Sequence, residues 1–144
     1  MTTKFFGKEN RKFDQANRMN IPPDFKKDLG DVVFIVKSIH NDHCLVLLSE
    51  EGWNNFANQV MEKKQGYSKA FLQRYLSSIA DRVVVDKAGR ITVKEEFKAY
   101  ANLEEDVFIV GAMDRVELWN YATWLEETSE EKIGSIDLSD IAYS

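Results

Sequence analysis

The feature that most constrains this chain is an internal repeat. Phe13-Asp14-Gln15-Ala16-Asn17-Arg18-Met19-Asn20-Ile21 aligns with Val85-Asp86-Lys87-Ala88-Gly89-Arg90-Ile91-Thr92-Val93 at an offset of 72 residues. The same offset pairs Asp24-Phe25-Lys26 with Glu96-Phe97-Lys98. Val33-Phe34-Ile35-Val36 then matches Val107-Phe108-Ile109-Val110 two residues later in the second copy, and Leu47 and Trp53 match Leu118 and Trp124 after a loop three residues longer in the first copy. Length changes of this kind are tolerated in loops and not inside strands or helices. A unit of about 45 residues is too small to bury a core alone, so the two copies are expected to pack their apolar faces together.

Each copy reads as strand, turn, strand, short helix, strand, turn, strand, helix. Asp14 to Arg18 and Asp86 to Arg90 lie between β-favouring apolar runs, with Asn17 or Gly89 at the position that wants a positive φ. The Asp opening each turn can accept a backbone N–H two residues on. Pro22-Pro23 suits the first turn of a helix that carries Phe25 and Leu29 inward at i and i+4. Asp31 to Val36 and Cys44 to Leu48 read as strands around the polar loop Ile39 to His43. Trp53, Phe56, Ala57, Val60 and Met61 recur at helical spacing, as do Phe71, Leu72, Tyr75, Leu76 and Ile79. Two amphipathic helices are therefore expected between the copies, with their aromatics in the core. The expected class is α+β: two pseudo-symmetric β-rich halves over 5–53 and 81–124, intertwined into one domain, with a helical connection over 54–80 and an acidic C-terminal segment over 125–144.

Charge is distributed unevenly. The net charge is −5, yet residues 1–30 carry seven bases against four acids, while residues 101–144 carry only Arg115 and Lys132 against eleven acids. The acidity thus belongs to the C-terminal third, and the locally basic N-terminal segment is compatible with an anionic partner. Lys8, Asn10 and Lys12 share a strand parity and are expected to project together beside the first turn. With 44% apolar residues and few Gly or Pro, the chain suits a folded domain and excludes low-complexity disorder. No apolar run approaches a membrane span. Met1-Thr2-Thr3-Lys4-Phe5-Phe6-Gly7 lacks the apolar core of a secretory signal, so a cytoplasmic location is expected.

Catalytic and metal chemistry find little support. His40-Asn41-Asp42-His43-Cys44 offers ligand atoms, but no second cluster completes a four-ligand set, and a lone Cys at the start of a strand suits a small buried apolar position. The two His share one loop, with no dispersed nucleophile, base and acid and no phosphate-binding glycine motif. No catalytic residue, cofactor or metal is expected. Arg18 and Arg90 have two uses open to them on residues alone. Each can pair with Asp14 or Asp86 to lock its turn, or fork onto guanine O6 and N7 in a major groove.

The doubled pattern of Gly7, Asp14-x-x-x-Arg18, Ile21-Pro22, Cys44-Leu45-Val46-Leu47 and Trp53, repeated as Asp86-Lys87-Ala88-Gly89-Arg90 and Glu117-Leu118-Trp119, resembles the MraZ family over roughly residues 5–125. That family carries two SpoVT-AbrB-like swapped-hairpin units, a double-split β-barrel arrangement. The resemblance implies a bacterial, nucleoid-associated transcriptional regulator of the division and cell-wall gene cluster. It would act as a repressor, binding direct repeats upstream of its own operon as a ring-shaped homo-oligomer larger than a dimer, with D-x-x-x-R hairpins facing double-stranded DNA. The candidate DNA-binding residues are then Lys8, Lys12, Asn17, Arg18, Lys87 and Arg90, with Asp14, Asp86 and Gly89 forming the turns. The second turn could face DNA or a neighbouring subunit. Where the family's first turn has Lys-Gly before its Arg, this chain has Ala16-Asn17, one cation fewer, and Lys94 stands where a Pro often follows the second apolar strand. A different class of function, an AbrB-like antitoxin that holds a toxin through residues 126–144, is suggested by the acidic segment, although antitoxins of this type usually carry one hairpin unit per chain.

Overall fold

The computed structural model describes residues 4–144; Met1, Thr2 and Thr3, part of the stretch read for a signal sequence, lie outside the described residues. The first copy runs β1 (Lys8–Lys12), β2 (Arg18–Asn20), α1 (Pro23–Leu29), β3 (Val32–Lys37), β4 (Leu45–Ser49) and α2 (Glu50–Lys63). After α3 (Lys69–Ser78), the second runs β5 (Ala80–Val84), β6 (Arg90–Thr92), α4 (Glu95–Tyr100), β7 (Asp106–Gly111), β8 (Val116–Trp119) and α5 (Tyr121–Glu127), followed by α6 (Glu130–Gly134). Equivalent elements start 72, 74 and 71 residues apart along the repeat, as the alignment requires.

The copies exchange their first strands. A six-stranded antiparallel sheet has the order β1-β7-β8-β4-β3-β5, so β1 pairs with β7 of the second copy and β5 with β3 of the first. A separate ribbon joins β2 to β6. Both central pairings are symmetric about one point: Met19 faces Ile91 in the ribbon, and Val46 faces Glu117 between β4 and β8. An approximate two-fold axis therefore relates the halves, and the fold is the α+β swapped-hairpin arrangement that the family resemblance implies.

The core lies between the inner face of the six-stranded sheet and a lid of ribbon, α1 and α4. Val33, Ile35, Leu45, Leu47, Ile109 and Leu118 point inward to meet Met19, Ile91, Phe25 and Phe97. Helix α1 begins at Pro23, where a missing N–H costs nothing, and buries Phe25 and Leu29. The outer face is covered too, which explains why Val32 to Val36 is an uninterrupted apolar run and not an alternating one. Trp53 of α2 stacks on Phe34 at 5.1 Å, and its repeat counterpart Trp124 of α5 lies 5.6 Å from Phe108. Ser49 and Asn120, also counterparts, cap α2 and α5 by accepting the backbone N–H of Gly52 and Thr123.

The helical connection departs from expectation in one respect. Leu72 and Leu76 are buried, but Phe71 and Tyr75 are exposed, and Phe71 stacks on exposed Tyr67 instead of entering the core. Helix α3 meets α2 and the edge strand β5 of the sheet, and those contacts are narrower than its apolar stripe. Trp53 and Phe56 are half-buried against the outer sheet face. No helix among the described residues is long and apolar enough to cross a membrane.

Candidate nucleic-acid interface

Each turn is built by its own aspartate. Asp14 Oδ1 accepts the backbone N–H of Ala16 and of Arg18, both at 2.9 Å, while Oδ2 accepts Arg18 Nε at 2.8 Å. Asp86 repeats the set with Ala88 (2.9 Å), Arg90 N (2.8 Å) and Arg90 Nε (2.9 Å). The backbone closes both loops, Asp14 N to Arg18 O and Asp86 N to Arg90 O at 2.9 Å. The left-handed residue falls where the repeat placed it, at Asn17 (φ 60°) and Gly89 (φ 80°). The backbone N–H of Arg18 above all, with its guanidinium and the N–H of Ala16, holds the Asp14 carboxyl below the usual carboxylate range against an opposing desolvation. Asp86 is lowered in the same way, first by the backbone N–H of Arg90.

The two uses open to the arginines prove compatible. Only Nε of Arg18 is tied to Asp14, and among the described residues its two terminal nitrogens donate no hydrogen bond. Those of Arg90 are similar, with Nη1 3.9 Å from Asp14. The carboxylates thus brace the guanidinium stems and leave outer donors in a defined plane.

Strand alternation decides where those donors point. Met19 and Ile91 are 1% exposed, so Arg18 and Asn20 on β2 and Arg90 and Thr92 on β6 occupy the opposite, outward face of the ribbon. The two turns are also stitched to each other's strand ends, Ile21 N to Gly89 O at 3.0 Å and Val93 N to Asn17 O at 2.9 Å. Both arginines and both turns therefore share one surface, and Lys87 sits at the exposed tip of the second turn.

Three of the expected contacts, Lys8, Lys12 and Asn17, are placed differently. Lys8 and Asn10 register with Val110 and Phe108, whose side chains belong to the outer sheet face, so the Lys8–Asn10–Lys12 row lies on that face and not beside the ribbon. The expected parity is present; the swap of β1 onto β7 decides which side it serves. Lys12 is paired with Asp106 at 2.7 Å and lies 3.9 Å from Glu105. Asn17 is turned inward: its Nδ2 donates to Glu95 (3.0 Å) and its Oδ1 accepts from Lys98 (2.9 Å), both on α4. Its carboxamide is engaged within the protein, and Glu95 and Lys98 are residues that sequence reasoning missed. Their only trace there is the substitution of Asn for the Gly of the other copy.

The His40–Cys44 loop gathers no metal set. Among the described residues, no three His, Cys, Asp or Glu side chains come together in a geometry that could hold an ion. Cys44 is fully buried, and desolvation, reinforced by Glu117 and Asp42, pushes its thiol well above the usual range.

A family model described as "MraZ protein, putative antitoxin-like" matches residues 5–74 and 76–142, nearly the whole chain in two segments. The chain belongs to the MraZ family. It is 30% identical over 138 residues to the transcriptional regulator MraZ of Acetivibrio thermocellus, covering 94% of each chain. It is 32% identical to the protein of that name from Caldicellulosiruptor saccharolyticus, covering 83% of each. Against that of Bifidobacterium longum it is 32% identical, covering 90% of this chain and 85% of the relative. The name these MraZ proteins share is that of a regulator, not of an enzyme.

Proposed function

We propose that this MraZ-family protein is a sequence-specific DNA-binding transcriptional regulator whose β2–β6 ribbon and D-x-x-x-R turns enter the major groove. The observation that carries this reading is the outward pair of braced arginines, Arg18 and Arg90, on a two-stranded ribbon. A major groove admits such a ribbon, and a guanidinium fork matches guanine O6 and N7. Lys87 on the second turn supplies a phosphate contact. Lys8, on the outer sheet face, would reach phosphates only of DNA that wraps around the edge strand β1.

One chain offers a footprint of two short turns, so tight binding calls for several chains on successive repeats. The exposed row of Tyr67, just before α3, and Phe71 and Tyr75 on α3 supports assembly into a homo-oligomer larger than a dimer. By family resemblance the target is a set of direct repeats upstream of the protein's own operon in the division and cell-wall cluster, and the effect is repression. A footprint on that upstream DNA, combined with light scattering of the free protein, tests both parts. Protection of spaced repeats by a multimer is the expected result; a monomer, or no protection, overturns the reading.

The antitoxin alternative has one supporting feature, the acidic segment with exposed Ile133, Ile136, Leu138 and Ile141. Recovery of a small basic protein bound to residues 126–144, in place of a DNA footprint, would favour it.

A further inference from the structure

The two turns share a backbone but are held differently from outside. Lys98 lies on α4 of the second copy and is only 6% exposed. Its ammonium has two partners, Asn17 Oδ1 at 2.9 Å and the face of the Phe13 ring, 4.4 Å from the centroid. A buried ammonium demands such partners, and here both belong to the first turn or the residue just before it. Glu95 holds the other end of the same carboxamide. At the second turn the equivalent positions are Gly89, Lys26, Val85 and Pro23. Lys26 bonds Asp31 at 2.7 Å instead, and a Cβ built on Gly89 would meet nothing within 4 Å. Apart from the backbone bond of Ile21 to Gly89, the second turn receives among the described residues one hydrogen bond from an outside side chain, Asn20 Nδ2 to the carbonyl of Ala88 at 3.0 Å.

We propose that Lys98, acting through Asn17, is a positioning residue for the DNA-facing first turn. It grips the left-handed residue one place before Arg18 and so sets the plane in which that guanidinium meets a base edge. The inference rests on the reading of Arg18 as a DNA contact. It implies that the first turn is ordered before DNA arrives, so that no ordering cost is deducted from its base contact. The tether also accounts for Asn at position 17: Gly would supply the same φ but nothing for Lys98 to hold.

The test is the double variant Asn17→Gly/Lys98→Met. Glycine keeps the left-handed backbone without strain, and methionine keeps the stem volume and places sulfur against Phe13. Operator affinity is expected to fall about tenfold, with affinity for unrelated DNA and the salt slope unchanged, because the charge removed is buried. Hydrogen exchange at the Arg18 amide should quicken while that of Arg90 stays as it was. Lys26→Met, the mirror change on α1, should leave operator affinity within about twofold. If the double variant does not fold, Asn17→Gly alone leaves Lys98 and Glu95 free to pair and is read the same way. Wild-type operator binding, or an equal loss on both DNAs, overturns the proposal. Unchanged exchange at Arg18 overturns it as well. Unchanged operator binding by Arg18→Ala sinks the DNA reading instead, and the exchange measurement then still decides whether the tether holds the turn.

Discussion

Met19 and Ile91 stand opposite each other in the β2–β6 ribbon, and each is the other's counterpart in the repeat. Each is 1% exposed and belongs to the main core cluster. The local two-fold thus passes through two side chains that close the lid of the core on one face and, by alternation, set the four outward positions on the other. Stability and ligand presentation are coupled at this pair.

Met19→Ala should destabilise the protein by about 2–5 kcal/mol, the range for truncating a fully buried large side chain. Ile91→Ala should fall in the same range. Because the two residues face each other, the double variant should depart from the sum of the singles by roughly 0.5–3 kcal/mol. Denaturant melts at fixed protein concentration measure all three. A cost for Met19→Ala near zero would mean that the ribbon is not part of the cooperative core.

Arg18→Ala should weaken operator binding by about tenfold or more, from the loss of ~1–3 kcal/mol of base discrimination. Lys87→Ala should lower affinity for all DNA and reduce the salt slope by about one. Gel shifts at two salt concentrations separate the two effects. Equal losses on operator and unrelated DNA for Arg18→Ala would reduce that arginine to a phosphate contact.

Much of this was legible before any coordinates. The turns, the left-handed positions and the paired helices followed from Asp, Asn, Gly and Pro, whose local chemistry is largely independent of tertiary context. What a repeat cannot reveal is which strand pairs with which copy. The exchange of β1 onto β7 carries Lys8 and Lys12 to the outer face, and no local rule contains that exchange. Likewise Asn17 reads as a turn residue, but its partners Glu95 and Lys98 lie 78 and 81 residues away in the chain. Phe71 and Tyr75 show the reverse error: helical periodicity marks an apolar stripe without saying how much surface is available to cover it.

The aspartates of the two turns predict an acid-sensitive ribbon. Both carboxyls are held below the usual range in the folded chain, so they contribute stability that is fully present above the unfolded value of about 3.9. That contribution is lost as pH falls through the lower folded values. The loss of stability on acidification should therefore be shallower in Asp14→Asn and Asp86→Asn than in the wild-type chain. Denaturant midpoints followed downward from about pH 5 check the slopes. Parallel acid limbs in wild type and variants would show that the turn bonds make no difference to the folded state.

The C-terminal segment makes the last prediction. Helix α5 rests on the outer sheet face through Trp124, against Phe108 and Trp119, so the acidic segment departs from the side of the sheet opposite the ribbon. Beyond it, α6 buries nothing, and Ile133, Ile136, Leu138 and Ile141 are all more than half exposed. Among the described residues, the one ion pair that ties this stretch back, Lys132 to Glu127 at 3.5 Å, is largely exposed to water, where such pairs contribute little. Truncation after Thr128 should leave the fold and its melting point intact. It removes four acids, Glu130, Glu131, Asp137 and Asp140, against one lysine, so operator affinity should stay equal or rise slightly at low salt. Sizing and a binding titration of the truncated chain decide the matter. A smaller oligomer would assign the exposed isoleucines and Leu138 to a subunit contact. A collapse of operator affinity with the oligomer unchanged would place the segment at the DNA and refute the charge argument.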